Sequence, residues 1–196
     1  MIAAVKSARS RQTATKLRHL VRAPVVKNDF ENRNIAVSQV RQGIPPELRG
    51  VFWFQLSGAA EKCELEGRRG VPRYEDICDL GISECSAQIE KDLLRTFPGN
   101  EKMGGKDGTD GIDSLRRILT AYSLRNPSVG YCQSMNFLVA TLLLFCEERE
   151  AFWILATVIE DKLSADFYSM TMLGLQTDLL VLDRSPLCSQ TRGQHV

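Results

Sequence analysis

The sequence predicts an all-α domain built from several helices. Apolar residues recur at three- and four-residue steps in several segments, which is the spacing of one helix face. Proline and glycine bracket these segments as helix start and stop signals do. Almost no stretch alternates apolar and polar residues in the manner of a strand. With 196 residues, 43% hydrophobic and 25% charged, the chain is long enough for one globular domain with a sizeable core.

The first helix is predicted to begin at Pro45 or Pro46 and to end before Gly58. Proline fits a first turn, where its missing N–H costs nothing, and glycine commonly follows a helix end. Four apolar residues between them would share one face of this helix: Leu48, Val51, Phe52 and Leu56.

A second helix is predicted to start after Ser83, with Glu84 favourably placed in its first turn. It continues through Ile89 until Pro98 prevents extension. We therefore expect Arg95 at a helix end.

Residues 99–111 are rich in glycine and polar residues, so we predict a mobile surface loop there. Gly105 and Lys106 do not have the spacing of a phosphate-binding loop, and the acidic residues do not have that of a calcium-binding loop. Neither kind of site is expected.

Three further helices are predicted after this loop. Asp113 can cap the first, which Asn126 and Pro127 end. The next starts near Gly130 and carries the apolar run 137–146, which is too short to cross a bilayer. Because that run is apolar on nearly every face, we predict a central helix. The last covers residues 150–162. The predicted core residues of the first and last of these helices are Leu115, Ile118, Leu119, Tyr122, Phe152, Trp153, Leu155, Ala156 and Ile159.

The chain begins with a basic segment, residues 1–37. Seven Lys or Arg residues and no acidic residue occur between Met1 and Lys27. We favour a solvated extension of mixed helix and coil. Two alternatives stay open: a mitochondrial targeting segment, or a basic arm that contacts anionic membrane, with about 1 kcal/mol per basic residue.

Catalysis by a self-contained active site is not expected. His19 and His195 lie near opposite chain ends, so no nucleophile–His–acid set is evident. The six cysteines include no C-x-x-C pair, which argues against a metal site, and we expect reduced, mostly buried thiols. The sequence gives no reason to expect a nucleic-acid partner or a cofactor of its own.

Two short motifs place polar side chains at helix boundaries. In Ile89-Glu-Lys-Asp92-Leu-Leu-Arg95 the acid and the arginine are three residues apart on one helix side, so the carboxylate can steady the guanidinium. An ordinary surface ion pair has the same spacing. In Gly130-Tyr131-Cys132-Gln133-Ser-Met-Asn136, the amides lie at a helix start, where they could simply satisfy nearby backbone groups.

A third motif, Arg41-Gln-Gly-Ile-Pro-Pro-Glu-Leu-Arg49-Gly-Val-Phe-Trp53, is explained better by structure than by catalysis. Its glycine permits a tight entry, its proline starts a helix, and Trp53 is a large core anchor. Arg49 is expected to form a scaffold salt bridge.

Together and in this order, R-x-G-I-P-x3-R-x3-W, I-x2-D-x2-R and Y-x-Q resemble the TBC domain of Rab GTPase-activating proteins. The resemblance runs from about Arg41 to about Arg184. It includes Arg-Thr-Phe-Pro at 95–98, Ala-Phe-Trp at 151–153 and Met-Leu-Gly-Leu-Gln-Thr-Asp at 172–178.

This resemblance implies a GTPase-activating protein that acts in trans on a Rab-family GTPase in vesicle trafficking. Arg95 would neutralise charge on the transferring phosphate and Gln133 would orient the attacking water, with Asp92, Tyr131 and Arg49 in support. GTP and Mg²⁺ would belong to the partner. The implied location is cytoplasmic, peripheral on endomembranes. The alternatives are a catalytically silent module that binds a Rab or another partner, and a non-functional truncated isoform.

The resemblance also implies several more helices beyond Arg184, whereas residues 185–196 leave the pattern and show no helical periodicity. The predicted organisation is therefore a basic extension (1–37), a partial TBC domain (38–184) that is incomplete at its C-terminal end, and a divergent tail (185–196).

Overall fold

The computed structural model describes residues 40–41, 43–104, 109–164, 166–168 and 171–184. The predicted extension and tail lie outside these ranges. No strand occurs in the described part of the chain, and the all-α fold class is confirmed. In chain order the helices are α1 (Pro46–Leu56), α2 (Ala59–Arg68), α3 (Tyr74–Cys78), α4 (Ser86–Leu93), α5 (Glu101–Gly104), α6 (Thr109–Arg125), α7 (Met135–Leu143), α8 (Glu148–Thr157), the π-helix Val158–Lys162 and α9 (Leu173–Arg184).

Helices α6 and α8 form the centre of the core. Helix α6 packs against α3, α4, α5, α7 and α8, and α8 also packs against α1, α2 and α7. Every residue from Ala151 to Thr157 is buried, as are all the core residues predicted for these two helices. The apolar run was expected to be the central helix. Its helix α7 instead reaches the surface at Phe137, which is 41% exposed.

The predicted apolar stripe on α1 is half wrong. Leu48 and Phe52 are buried, but Val51 and Leu56 are 40% and 52% exposed. Gly50 is buried instead, and a Cβ atom built there would lie 2.1 Å from the carbonyl oxygen of Phe145. Helix α1 therefore approaches the α7–α8 turn through a glycine, which hydrophobicity patterns do not detect.

The loop predicted at residues 99–111 is partly helical. Residues 101–104 form α5, and α6 begins at Thr109, so Asp113 lies inside the helix rather than capping it. Met103 is 1% exposed and belongs to the core. A single buried apolar side chain anchors this polar segment, and composition did not reveal it. Residues 105–108 lie outside the described ranges.

The start of α4 and the burial of the cysteines also differ from expectation. Helix α4 begins at Ser86, so Glu84 lies in the preceding turn and not in the first helical turn. Of the five free cysteines in the described ranges, only Cys146 is buried, and burial raises the pKa of its thiol to about 12. The other four are half-buried.

Helix α9 lies on the surface, and none of its residues is buried. Its exposed apolar residues include four in a row, Leu179, Leu180, Val181 and Leu182. Within the described ranges, no helix is both long and apolar enough to cross a membrane, and no cluster of metal-ligand side chains occurs.

The close approach at Gly50 yields a stability prediction. We expect Gly50→Ala to lower the free energy of unfolding by about 1–3 kcal/mol, because the added methyl group overlaps the Phe145 backbone. Gly67→Ala is the matched control, since Gly67 is also helical but a Cβ atom there meets nothing within 4 Å. Gly67→Ala should raise the free energy of unfolding by about 0.5–1 kcal/mol. Urea unfolding measures the free energy of unfolding of both variants. An unchanged value in Gly50→Ala would contradict the close contact between Gly50 and the Phe145 backbone.

Candidate functional site

Two loops carry the polar residues that the motifs singled out. The first, residues 94–100, follows α4 and is called here the α4–α5 loop; the second, residues 126–134, is the α6–α7 loop. Arg95 lies in the turn directly after α4, as the sequence predicts. Gln133 lies in the turn before α7, which begins at Met135 rather than near Gly130. Hydrogen bonds join the end of α4 and the α4–α5 loop to the α6–α7 loop and the start of α7.

Asp92 joins the two loops. Its carboxylate is fully buried and accepts hydrogen bonds from Arg95 Nη2 and from the Tyr131 hydroxyl, the latter at 2.6 Å. A buried carboxylate is costly unless it is paired and hydrogen-bonded, so both partners are held to it. The Arg95 side chain is nevertheless 53% exposed. The guanidinium is therefore anchored on one side and open to solvent on the other.

Tyr131 is held in its neutral form. Burial, and after it the hydrogen bond to Asp92, raises the pKa of the phenol well above its usual range. The hydroxyl accordingly remains a donor to the Asp92 carboxylate throughout physiological pH.

A second, deeper link joins the α4–α5 loop to the start of α7. Asn136 Nδ2 donates to Thr96 Oγ1 at 2.7 Å, and both residues are buried. The rings of Phe97 and Phe137 add an apolar contact across the same boundary, with centroids 5.8 Å apart. Three contacts thus cross between the segment that carries Arg95 and the segment that carries Gln133.

Both loops contain a non-glycine residue in the left-handed region. Phe97 has φ 48° and Ser134 has φ 102°. Such conformations cost about 1–3 kcal/mol each and persist where the surroundings enforce them. Phe97 follows Arg95 by two residues, and Ser134 directly follows Gln133, so the backbone turns sharply beside each candidate residue.

Gln133 and Asn136 have different roles, although they occur in one motif. Asn136 Oδ1 accepts a hydrogen bond from the Ser134 N–H at 3.1 Å, which is the backbone-satisfying role that the sequence left open. The Gln133 side chain is exposed and forms no hydrogen bond with the described residues. Its amide is free to meet an external group.

Arg49 does not belong to this site. Its Nε donates to the Ile44 carbonyl at 3.1 Å, and its guanidinium lies 5.0 Å from the centroid of the Phe145 ring. These contacts fit a scaffold role: among the described residues Arg49 uses a backbone hydrogen bond and a cation–π contact, and no salt bridge of Arg49 occurs within those ranges.

The sequence did not reveal the roles of Thr96 and Ser134. Thr96 pairs with a residue 40 positions away, and helical spacing carries no information at that separation. The only signal was the position of Thr96 directly after the candidate arginine. Leu94, on the other side of Arg95, is 80% exposed and adds an apolar rim that was also not expected.

Comparisons with known proteins agree with the fold. Residues 46–185 match the family model of the Rab-GTPase-TBC domain. Small G protein signaling modulator 3 of Homo sapiens is 42% identical over 148 residues, which cover 74% of this chain and 19% of that protein. GTPase-activating protein GYP3 of Saccharomyces cerevisiae is 39% identical over 162 residues, which cover 73% and 24%.

A solved structure is similar as well. The Chlamydomonas flagellar RabGAP TBC domain superposes with a TM-score of 0.65 at 31% identity, covering 83% of this chain and 56% of that one. The chain spans about a fifth of the length of the curated relatives it matches.

The buried carboxylate yields a second stability prediction. We expect Tyr131→Phe to cost about 1.5–3 kcal/mol, because the buried Asp92 carboxylate loses a hydrogen bond. The control is Tyr122→Phe, since within the described ranges the Tyr122 hydroxyl accepts one 3.3 Å hydrogen bond, from the neutral Asn126 amide, and donates to no carboxylate. Chemical denaturation should show the larger loss for Tyr131. Equal losses of stability in the two variants would mean that the hydrogen bond from Tyr131 does not stabilise the buried Asp92 carboxylate.

Proposed function

The chain belongs to the Rab-GTPase-TBC domain family, and we propose that it accelerates GTP hydrolysis on a Rab-type GTPase by supplying Arg95 and Gln133 in trans. The observation that carries this proposal is an anchored, half-exposed guanidinium and an uncommitted amide on two loops, whose segments are joined by the Tyr131–Asp92 and Asn136–Thr96 hydrogen bonds. GTP and Mg²⁺ come with the partner.

Arg95 suits the stabilisation of phosphoryl transfer. Charge builds on the phosphate oxygens during transfer, and catalysis depends on positioned electrostatics rather than covalent chemistry. A guanidinium is always charged and matches phosphate geometry. The buried Asp92 restricts the motion of Arg95 before the partner arrives, so less conformational entropy is lost on docking.

Gln133 suits the orientation of a water molecule. A primary amide both donates and accepts hydrogen bonds, so it can hold a water between itself and the phosphate. The turn at Ser134 fixes the backbone directly after Gln133. The two groups therefore approach a bound nucleotide from neighbouring loops.

The names of the relatives support the same class. GYP3 is named a GTPase-activating protein, and the similar solved structure is that of a RabGAP TBC domain. Small G protein signaling modulator 3 carries a name that specifies modulation without specifying hydrolysis.

The first test is phosphate release from a panel of GTP-loaded Rabs mixed with the purified 196-residue chain. We expect acceleration with at least one Rab. The binding of each GTP-loaded Rab is measured in parallel. Binding without any phosphate release would replace this proposal with that of a silent interaction module, and neither binding nor release would reject both.

The second test removes each group. Arg95→Ala should reduce the accelerated rate by about 10³-fold or more, and Gln133→Ala by about 10²-fold, the scale of losing one preorganised group. Arg95→Lys should rescue little, because the planar fork is lost. Affinity for the GTP-bound Rab should change far less than the rate, since these groups act in the transition state.

Matched controls separate the site from the general surface. Arg68→Ala removes another exposed arginine paired with an acid on its own helix, Glu64, and Gln55→Ala removes another exposed glutamine. Both should retain the wild-type rate. Full activity in Arg95→Ala and Gln133→Ala would reject the assignment of these two residues.

A further inference from the structure

A buried hydrogen bond lies directly behind the two candidate groups. Thr96 follows Arg95 in the chain and is 2% exposed, and Asn136 follows Gln133 by three residues and is fully buried. The bond between them, from Asn136 Nδ2 to Thr96 Oγ1, measures 2.7 Å. It connects the α4–α5 loop to the first turn of α7, which directly follows the loop that carries Gln133.

Each partner also binds the main chain beside its own candidate residue. The Thr96 hydroxyl donates to the Asp92 carbonyl at 2.6 Å, which closes the end of α4. Asn136 Oδ1 accepts from the Ser134 N–H at 3.1 Å, which fixes the turn after Gln133. A continuous path of three hydrogen bonds therefore runs from the carbonyl of Asp92, three residues before Arg95, to the N–H of Ser134, directly after Gln133.

The two strained residues flank this path. Phe97 adjoins Thr96, and Ser134 donates to Asn136. Of the three non-glycine residues with positive φ in the described ranges, only Met172 lies elsewhere. Two strained backbone positions therefore lie beside one hydrogen bond, next to the two groups that are proposed to act together. This indicates a geometric constraint rather than ordinary core packing.

We infer that Thr96 and Asn136 are positioning residues that hold Arg95 and Gln133 in register with each other. This inference rests on the proposed function. Neither residue touches the nucleotide; their hydrogen bond sets the separation and direction of the two loops before the GTPase docks. Loss of the link should therefore lower kcat while leaving KM for the GTP-bound Rab nearly unchanged.

The experiment compares three variants of the full chain. Thr96→Val keeps the side-chain shape but removes the hydroxyl, and we expect kcat to fall by about 10- to 10²-fold, the scale of a misplaced reacting group. Thr96→Ser keeps the hydroxyl and should restore most of kcat. KM should stay within about twofold in both, since the docking surface is unaltered.

Thr157→Val is the matched control. Thr157 is 1% exposed, and its hydroxyl donates to the carbonyl four residues earlier at 2.8 Å, as that of Thr96 does, but it lies in α8 away from both loops. It should lose less stability than Thr96→Val, which also leaves the buried Asn136 amide without its acceptor, and it should keep the wild-type kcat. Equal kcat losses in Thr157→Val and Thr96→Val, or an unchanged kcat in Thr96→Val, would overturn the inference.

A readout without any GTPase separates this inference from the proposed function. In Thr96→Val the amide proton of Ser134 should exchange at least about tenfold faster with solvent, because Asn136 loses its anchor, whereas Thr157→Val should leave it unchanged. If the wild-type chain activates no Rab, the proposed function fails. An unaltered exchange rate of the Ser134 amide in Thr96→Val would overturn the positioning role of the Thr96–Asn136 hydrogen bond, whatever the outcome with the GTPase.

Discussion

The site depends on one constraint, the burial of the Asp92 carboxylate. A charge without solvent contact must be paired, and Asp92 meets this demand with Arg95 from its own helix end and Tyr131 from the neighbouring loop. The same requirement holds the guanidinium in place and binds the two loops together. Arg95 remains half exposed because Asp92 engages only one side of it.

The helical core supplies the rigidity that this arrangement needs. Helix α4 packs on α6 and α7, so the end of α4 and the start of α7 rest on one support. Ile89 and Leu93 of α4 and Met135 and Val139 of α7 are all buried. Both loops are therefore short departures from fixed helices, and a catalytic group built on such a frame keeps its geometry better than one on a long loop.

The sequence predicted the long, periodic elements and the positions of the candidate residues. Helices α6 and α8 were evident because their apolar residues repeat over several turns. Helix α2 was missed because only Ala59 of its residues is buried, so it shows little apolar periodicity. The close contact at Gly50 and the burial of Met103 could not be predicted, because neither produces a periodic apolar pattern in the sequence.

The connections within the site were beyond sequence reasoning for a different reason. Tyr131 and Asn136 meet partners 39 and 40 residues away, and local spacing says nothing about contacts at that distance. The spacing of Asp92 and Arg95 did predict their pairing, but it could not show that the acid is buried. That burial distinguishes the pair from the exposed Arg68–Glu64 pair, which has similar helical spacing.

If Arg95 and Gln133 act on the transition state, the chain should bind a transition-state mimic more tightly than the ground state. The measurement is the Kd of the chain for a Rab loaded with GDP, with and without aluminium fluoride. We expect binding at least about 10²-fold tighter with aluminium fluoride, and loss of that gain in Arg95→Ala. Equal affinity in the two states, or a gain that survives Arg95→Ala, would contradict this role.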